Sequence, residues 1–183
     1  MSSKKFWHRP GGGWIDITGR GYETRDWPMV REYGLKPELL AMSIVWKDHA
    51  GHFAVACKGA PEAVIDLCHL PDGEATKIME HVQAMAERGL RVLAVGIGTS
   101  SHARLPEKQH DFDFALAGLV GFEDPLRTTV PAAVGEAFQA GIAVKMITGD
   151  YPATALTIAS AAGIDTSTAP SPATNSNVLT MPR

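Results

Sequence analysis

The chain has 183 residues, 45% of them hydrophobic and 20% charged, enough to bury the core of one or two domains. Its 17 Lys and Arg against 20 Asp and Glu leave a formal net charge of −3, which gives no electrostatic case for nucleic acid or a membrane surface. Cys57 and Cys68 form no CxxC pair and read as reduced thiols. No apolar run reaches the ~20 residues of a membrane helix, and Met1-Ser2-Ser3-Lys4-Lys5 opens no secretory apolar region, so a soluble chain is expected.

Residues 1–28 are rich in glycine and aromatic residues, with Arg9-Pro10-Gly11-Gly12-Gly13 and Gly19-Arg20-Gly21 as breakers. They carry no helical or strand period and are expected to form a linker or disordered tail. The triple glycine lacks the Gly-Lys-Ser/Thr ending of a phosphate-cradling loop. Leu40 to Lys47 and His52 to Lys58 are apolar runs joined by Asp48-His49-Ala50-Gly51, the pattern of an antiparallel hairpin.

The hairpin runs into Lys58-Gly59-Ala60-Pro61-Glu62, and a helix is expected from Pro61 through Cys68, with proline in the first turn where its missing N–H costs nothing. Lys58 then stands at a strand exit, Gly59 leaves the backbone bare, and a helix N-terminus faces the gap. A cation, an unobstructed backbone and free N–H groups suit adenine or phosphate. The same features describe an ordinary strand–turn–helix corner with a surface lysine, and the residues alone leave both readings open.

Asp72 is placed to cap a helix over residues 73–88 that Gly89 ends, with Ile78, Val82, Met85 and Ala86 on one face. Arg91 to Ile97 reads as a buried strand, Gly98 to Asp113 as a polar loop, and Ala115 to Phe122 as another strand. Pro125 keeps the next step extended. From Thr129 the period becomes helical, with Val130, Val134, Ala137 and Phe138 on one face and Gly141 as the stop. A strand over Ile142 to Ile147, its exit Thr148-Gly149-Asp150, and a helix over Tyr151 to Ala162 follow, the order of a parallel α/β sheet. Ligands of such sheets sit beyond the strands' carboxyl ends, where Thr148 stands. Asp150 either caps the following helix or helps hold nucleotide and metal. Residues 166–183, rich in Ser, Thr, Pro and Asn, are expected to be disordered. His49 and His52, with Cys57 nearby, straddle a glycine turn and read as loop residues rather than metal ligands.

Two strings share one resemblance. Lys58-Gly59-Ala60-Pro61-Glu62 with Val64-Ile65-Asp66-Leu67-Cys68 is the first. Asp124-Pro125-Leu126-Arg127, Ala140-Gly141-Ile142 and Met146-Ile147-Thr148-Gly149-Asp150 make the second. Together they resemble the P-type cation-transporting ATPases, with bacterial calcium-pump-like members the nearest in pattern, over residues 26–165. The resemblance implies an α/β chain: a partial α+β nucleotide-binding domain with an antiparallel sheet over 29–123, then a partial phosphorylation domain, haloacid-dehalogenase-like and parallel, over 124–165. It implies a nucleotide site in which Tyr33 stacks on adenine beside Met42, Lys58, Gly59 and Ala60. In that site Arg91 reaches the phosphates, and Thr148, Gly149 and Asp150 hold the transferred phosphate when the domains close. ATP and Mg²⁺ are the implied cofactors. The implied partners are ATP and the remainder of a parent pump: its membrane and actuator parts and the rest of its phosphorylation domain, with this piece on the cytoplasmic side and no nucleic acid involved.

The chain departs from the family pattern in four respects. Tyr33 to Met42 is a longer segment, and Leu40 stands where the family has a basic residue. The phosphorylated aspartate's Asp-Lys-Thr-Gly-Thr string and the Gly-Asp-Gly-x-Asn-Asp string are both absent. A phosphoryl site without nucleophile or metal ligands has nothing to receive the phosphate, so no catalytic residue is assigned and the chain alone is not expected to turn over ATP. Two alternatives remain open: a haloacid-dehalogenase-like phosphatase using Asp124 or Asp150, and a non-catalytic interaction remnant.

Overall fold

The structure is a computed structural model, describing residues 6–8, 14–16, 27–100, 105–123, 125–166, 171–173 and 176–180; Asp124 lies outside them. Within residues 1–28, strands β1 (Phe6–His8) and β2 (Trp14–Asp16) pair antiparallel. Three residues are too few to show an alternating period.

β3 (Met29–Tyr33), β4 (Ala41–Lys47) and β5 (Phe53–Gly59) form a meander, with β4 and β5 in register from Ala41 opposite Gly59 to Lys47 opposite Phe53. The turn closes as its residues dictate: the Asp48 N–H donates to the His52 carbonyl at 2.9 Å, and Gly51 takes a φ of 91° that suits glycine. α1 (Pro61–Leu67) and α2 (Asp72–Ala86) follow. α2 begins at Asp72 itself, one residue before the expected start at Gly73, so Asp72 lies inside the first turn, and the Pro71 carbonyl accepts from Glu74 and Ala75. Gly89, with φ 78°, closes it.

β6 (Arg91–Ser100) and β7 (Phe114–Phe122) complete the sheet in the order β3-β4-β5-β6-β7, with a short 3₁₀ turn at Gln109–Asp111 between them. α1 covers one face. There Val45, Val55, Cys57, Val64, Leu67, Cys68, Phe112 and Phe114 make the main core. The opposite face carries a smaller cluster of Ile44, Trp46 and Ala56, with Trp27 and Met42 against it.

Both cysteines are free and buried in the main core. Burial pushes the Cys57 thiol up to about 12, with the neighbouring Cys68 adding to it, and pushes Cys68 up to about 11. Thiols held protonated in this way are chemically inert. A Cβ on Gly96 would lie 2.7 Å from the Cys57 sulfur and 3.3 Å from that of Cys68. Gly96→Ala is therefore expected to destabilise the chain by about 1–3 kcal/mol through overpacking. Adding Cys57→Ala should return part of that loss in urea melts, and strictly additive losses would contradict the clash.

The described chain divides into two compact units, one running to Glu80 and including Val92–Val120, the other comprising His81–Arg91 and the residues from Gly121. The second holds α3 (Val130–Gln139), β8 (Lys145–Thr148) and α4 (Pro152–Ala161), around Val134, Ala155, Ala159, Ala162 and Ile164. Thr129 occupies the N-cap position of α3, but its hydroxyl makes no capping bond. The buried Thr154 hydroxyl donates to the Leu90 carbonyl at 2.9 Å, tying α4 to the segment that follows α2.

The helix–strand–helix order is as expected, but the strand's ladder is antiparallel rather than parallel. β9 (Ser171–Ala173) and β10 (Ser176–Thr180) give the sheet order β8-β10-β9, with Thr148 opposite Asn177 and Lys145 opposite Thr180. A later segment thus pairs with an edge of β8 that would otherwise leave N–H and C=O groups without ladder partners.

Candidate functional site

Lys58 stands near the end of β5, directly opposite Met42 on β4 and Val95 on β6. Facing residues of an antiparallel ladder share a side, and alternation puts Ile44 and Ala56 there too. The half-buried Lys58 and Met42 therefore stand beside the buried Ile44 and Ala56, on the face of the sheet opposite α1. Glu32, opposite Ile44, joins that side from β3.

Tyr33 does not. It faces Ser43, on the α1 side of the sheet, and is 8% exposed within the main core. Its hydroxyl donates to the Pro106 carbonyl at 2.5 Å, the Phe112 ring meets it edge-on at 5.5 Å, and the Arg31 guanidinium lies 4.7 Å from its centre. Burial raises the phenol's pKa against the opposing pull of Arg31. Base stacking on Tyr33, as the resemblance implies, would require Arg31 to leave the ring and the ring to change sides. The structure brings Met42, Lys58, Gly59 and Ala60 together and leaves Tyr33 behind them. A register irregularity between Met29 and Arg31 helps set which β3 side chains face α1, and no residue pattern announces it.

Gly59 is needed for a reason other than ligand approach. A Cβ there would lie 2.2 Å from the Leu40 carbonyl oxygen and 2.6 Å from the Ala41 Cα. The group that approaches the bare backbone is the chain's own β4. The Ala60 N–H donates to the Leu40 carbonyl at 2.9 Å, which fixes the exit from β5 into α1. α1 has only seven residues, no side-chain cap and an acidic Glu62 in its first turn, so the helix end adds little attraction for an anion.

A second group gathers in the other unit. Arg91 is 72% exposed, and its Nε lies 3.4 Å from Asp150 Oδ1. The Thr148 hydroxyl donates to Asp150 Oδ2 at 2.8 Å, and the Asp150 N–H donates back to that hydroxyl at 3.1 Å. Asp150 is not the cap of α4: Tyr151 holds that position, without a side-chain capping bond. Gly149 links the two polar residues at the exit of β8, as expected.

Sequence reasoning missed two residues beside Met42. Ser43 and Gln109 are buried, and the Ser43 hydroxyl donates to Gln109 Oε1 at 2.5 Å. Sixty-six residues separate them, and no motif connects such distant positions. His52 Nδ1 lies 3.1 Å from Asp48 Oδ2 in the hairpin turn. Among the described residues no three His, Cys, Asp or Glu side chains converge to hold a metal ion, and no helix is long and apolar enough to cross a membrane.

An antiparallel sheet backed by helices, with a lysine-and-glycine corner at its rim, defines an α+β domain. The family described as P-type ATPase, cytoplasmic domain N, matches residues 19–129, and the chain belongs to it. The sodium/potassium exporting P-type ATPase cta3 of Schizosaccharomyces pombe is 34% identical over 145 residues, covering 74% of this chain and 14% of that protein. The probable cation-transporting ATPase F of Mycobacterium tuberculosis is 35% identical over 158 residues, covering 78% and 17%. The sodium/potassium-transporting ATPase subunit alpha-3 of Gallus gallus is 34% identical over 132 residues, covering 61% and 13%. The chain thus spans less than a fifth of the length of these curated relatives.

Proposed function

We propose that this chain binds ATP through the face carrying Met42 and Lys58, as the nucleotide-binding part of a P-type cation pump. One observation carries the reading: the half-buried Lys58 faces the half-buried Met42 across adjacent strands, at the edge of a packed apolar cluster of Ile44, Trp46 and Ala56. An apolar floor accepts the flat face of a base, and an ammonium at its edge attracts phosphate. Glu32, on the same side, can accept from an exocyclic amine. Family membership supports the same assignment.

Arg91, Thr148 and Asp150 form the second part of the proposal. A guanidinium and a hydroxyl suit phosphate recognition, and here both are bonded to the Asp150 carboxylate. They do not make a Mg²⁺ site by themselves. Both Asp150 oxygens are engaged, and Mg²⁺ asks for near-octahedral oxygen ligation. ATP hydrolysis and ion movement are assigned to a parent pump supplying the Asp-Lys-Thr-Gly-Thr string, which this sequence lacks. The calcium-pump-like subclass rests on motif pattern alone.

Titrating ATP into the labelled chain and following backbone amide resonances tests the site. The expected result is saturable shifts at Met42, Lys58, Gly59 and Ala60 that exceed those in α1. Shifts confined to other segments, or none, would overturn the assignment.

A further inference from the structure

We propose that Gln109 is a positioning residue for the Met42–Lys58 corner, an inference that rests on the nucleotide-binding reading above. Gln109 is 5% exposed in the strap of residues 105–113, and both ends of its side-chain amide bond to β4. Its Oε1 accepts from the Ser43 hydroxyl at 2.5 Å, and its Nε2 donates to the Ala41 carbonyl at 3.2 Å. Those two partners flank Met42. The strap is also held at Pro106, whose carbonyl accepts from Tyr33 on β3.

The next link runs from β4 to β5. The Ala41 backbone seats against Gly59, and Leu40 accepts from Ala60. Gln109 therefore fixes the start of β4, and β4 fixes both Met42 and the chain just beyond Lys58. A slip of one residue would turn Met42 to the other side of the sheet. Packing alone would be served by an apolar side chain here. A buried amide whose oxygen and nitrogen are both bonded to β4 instead selects one alignment, because any other leaves that donor and acceptor without these partners.

The test uses the 183-residue chain, with Gln109→Leu and Ser43→Ala. Each variant is read twice: by ATP titration in a calorimeter, and by backbone amide resonances without nucleotide. Gln109→Leu is expected to weaken ATP binding about tenfold, and Ser43→Ala less, since it removes one bond of the two. Resonance changes should concentrate at Ala41 to Ser43 and Lys58 to Ala60, in protein that still melts well above the assay temperature. Parental affinity together with parental resonances at those positions in Gln109→Leu would overturn the proposal. Should the parent chain itself bind no ATP, the nucleotide reading fails, and the resonances alone decide whether Gln109 positions the corner. Should Gln109→Leu not fold, Ser43→Ala decides by the same two readouts.

Discussion

Gly59→Ala is expected to cost about 3 kcal/mol of folding stability, the upper end of what overpacking a close contact typically costs. The cause is steric rather than conformational, since Gly59 is not among the residues with positive φ. The new methyl would sit 2.2 Å from the Leu40 carbonyl oxygen, 2.6 Å from the Ala41 Cα and 2.8 Å from the Ala41 Cβ. All three belong to β4 or the residue leading into it, so no flexible side-chain tip can swing away. β4 and β5 must separate at this end. Separation breaks the 2.9 Å bond from Ala60 to Leu40 and loosens the pairing of Met42 with Lys58. Urea melts of parent and variant measure the loss, and a change below about 1 kcal/mol would show that the crossing yields easily. Gly73, with open space around it, is the control: a Gly73→Ala variant should melt like the parent or slightly higher, because alanine favours a helix.

Lys58→Glu is expected to weaken ATP binding by roughly ten- to a hundredfold. One charge-assisted bond is worth about 1.5–3 kcal/mol, and the reversed charge adds repulsion. Lys58→Met separates the two roles of the side chain. It keeps an apolar stem against Met42 and Val95 while removing the cation, so its affinity should fall between parent and Lys58→Glu. The parent's binding should also weaken with added salt, and that of Lys58→Met should respond less.

Much of this corner is legible in the residues. The hairpin from β4 to β5 follows from two apolar runs and a polar turn ending in glycine, and Pro61 marks the start of α1. The order α2-β6-β7-α3-β8-α4 follows likewise from apolar periods and glycine stops. What stays hidden depends on long-range register. Tyr33 and Glu32 are neighbours in sequence, yet they face opposite sides of the sheet, and a one-residue shift would exchange them. Gln109 looks like one more polar residue in a loop until the fold brings it to Ser43. Gly59 is readable as a place that tolerates no side chain, but whether ligand or backbone fills the space is a tertiary fact. β10 lies in a Ser-, Thr-, Pro- and Asn-rich stretch that reads as a tail, and its antiparallel pairing with β8 is a long-range contact that no local pattern announces.

The central claim is that the Met42–Lys58 face binds ATP, and calorimetric titration of ATP into the chain beside its Lys58→Glu variant tests it most directly. The expected result is saturable binding with one site per chain in the parent, weakened at least about tenfold in the variant while its melting behaviour is unchanged. Equal affinity of the two proteins, or no heat of binding to the parent, would contradict it.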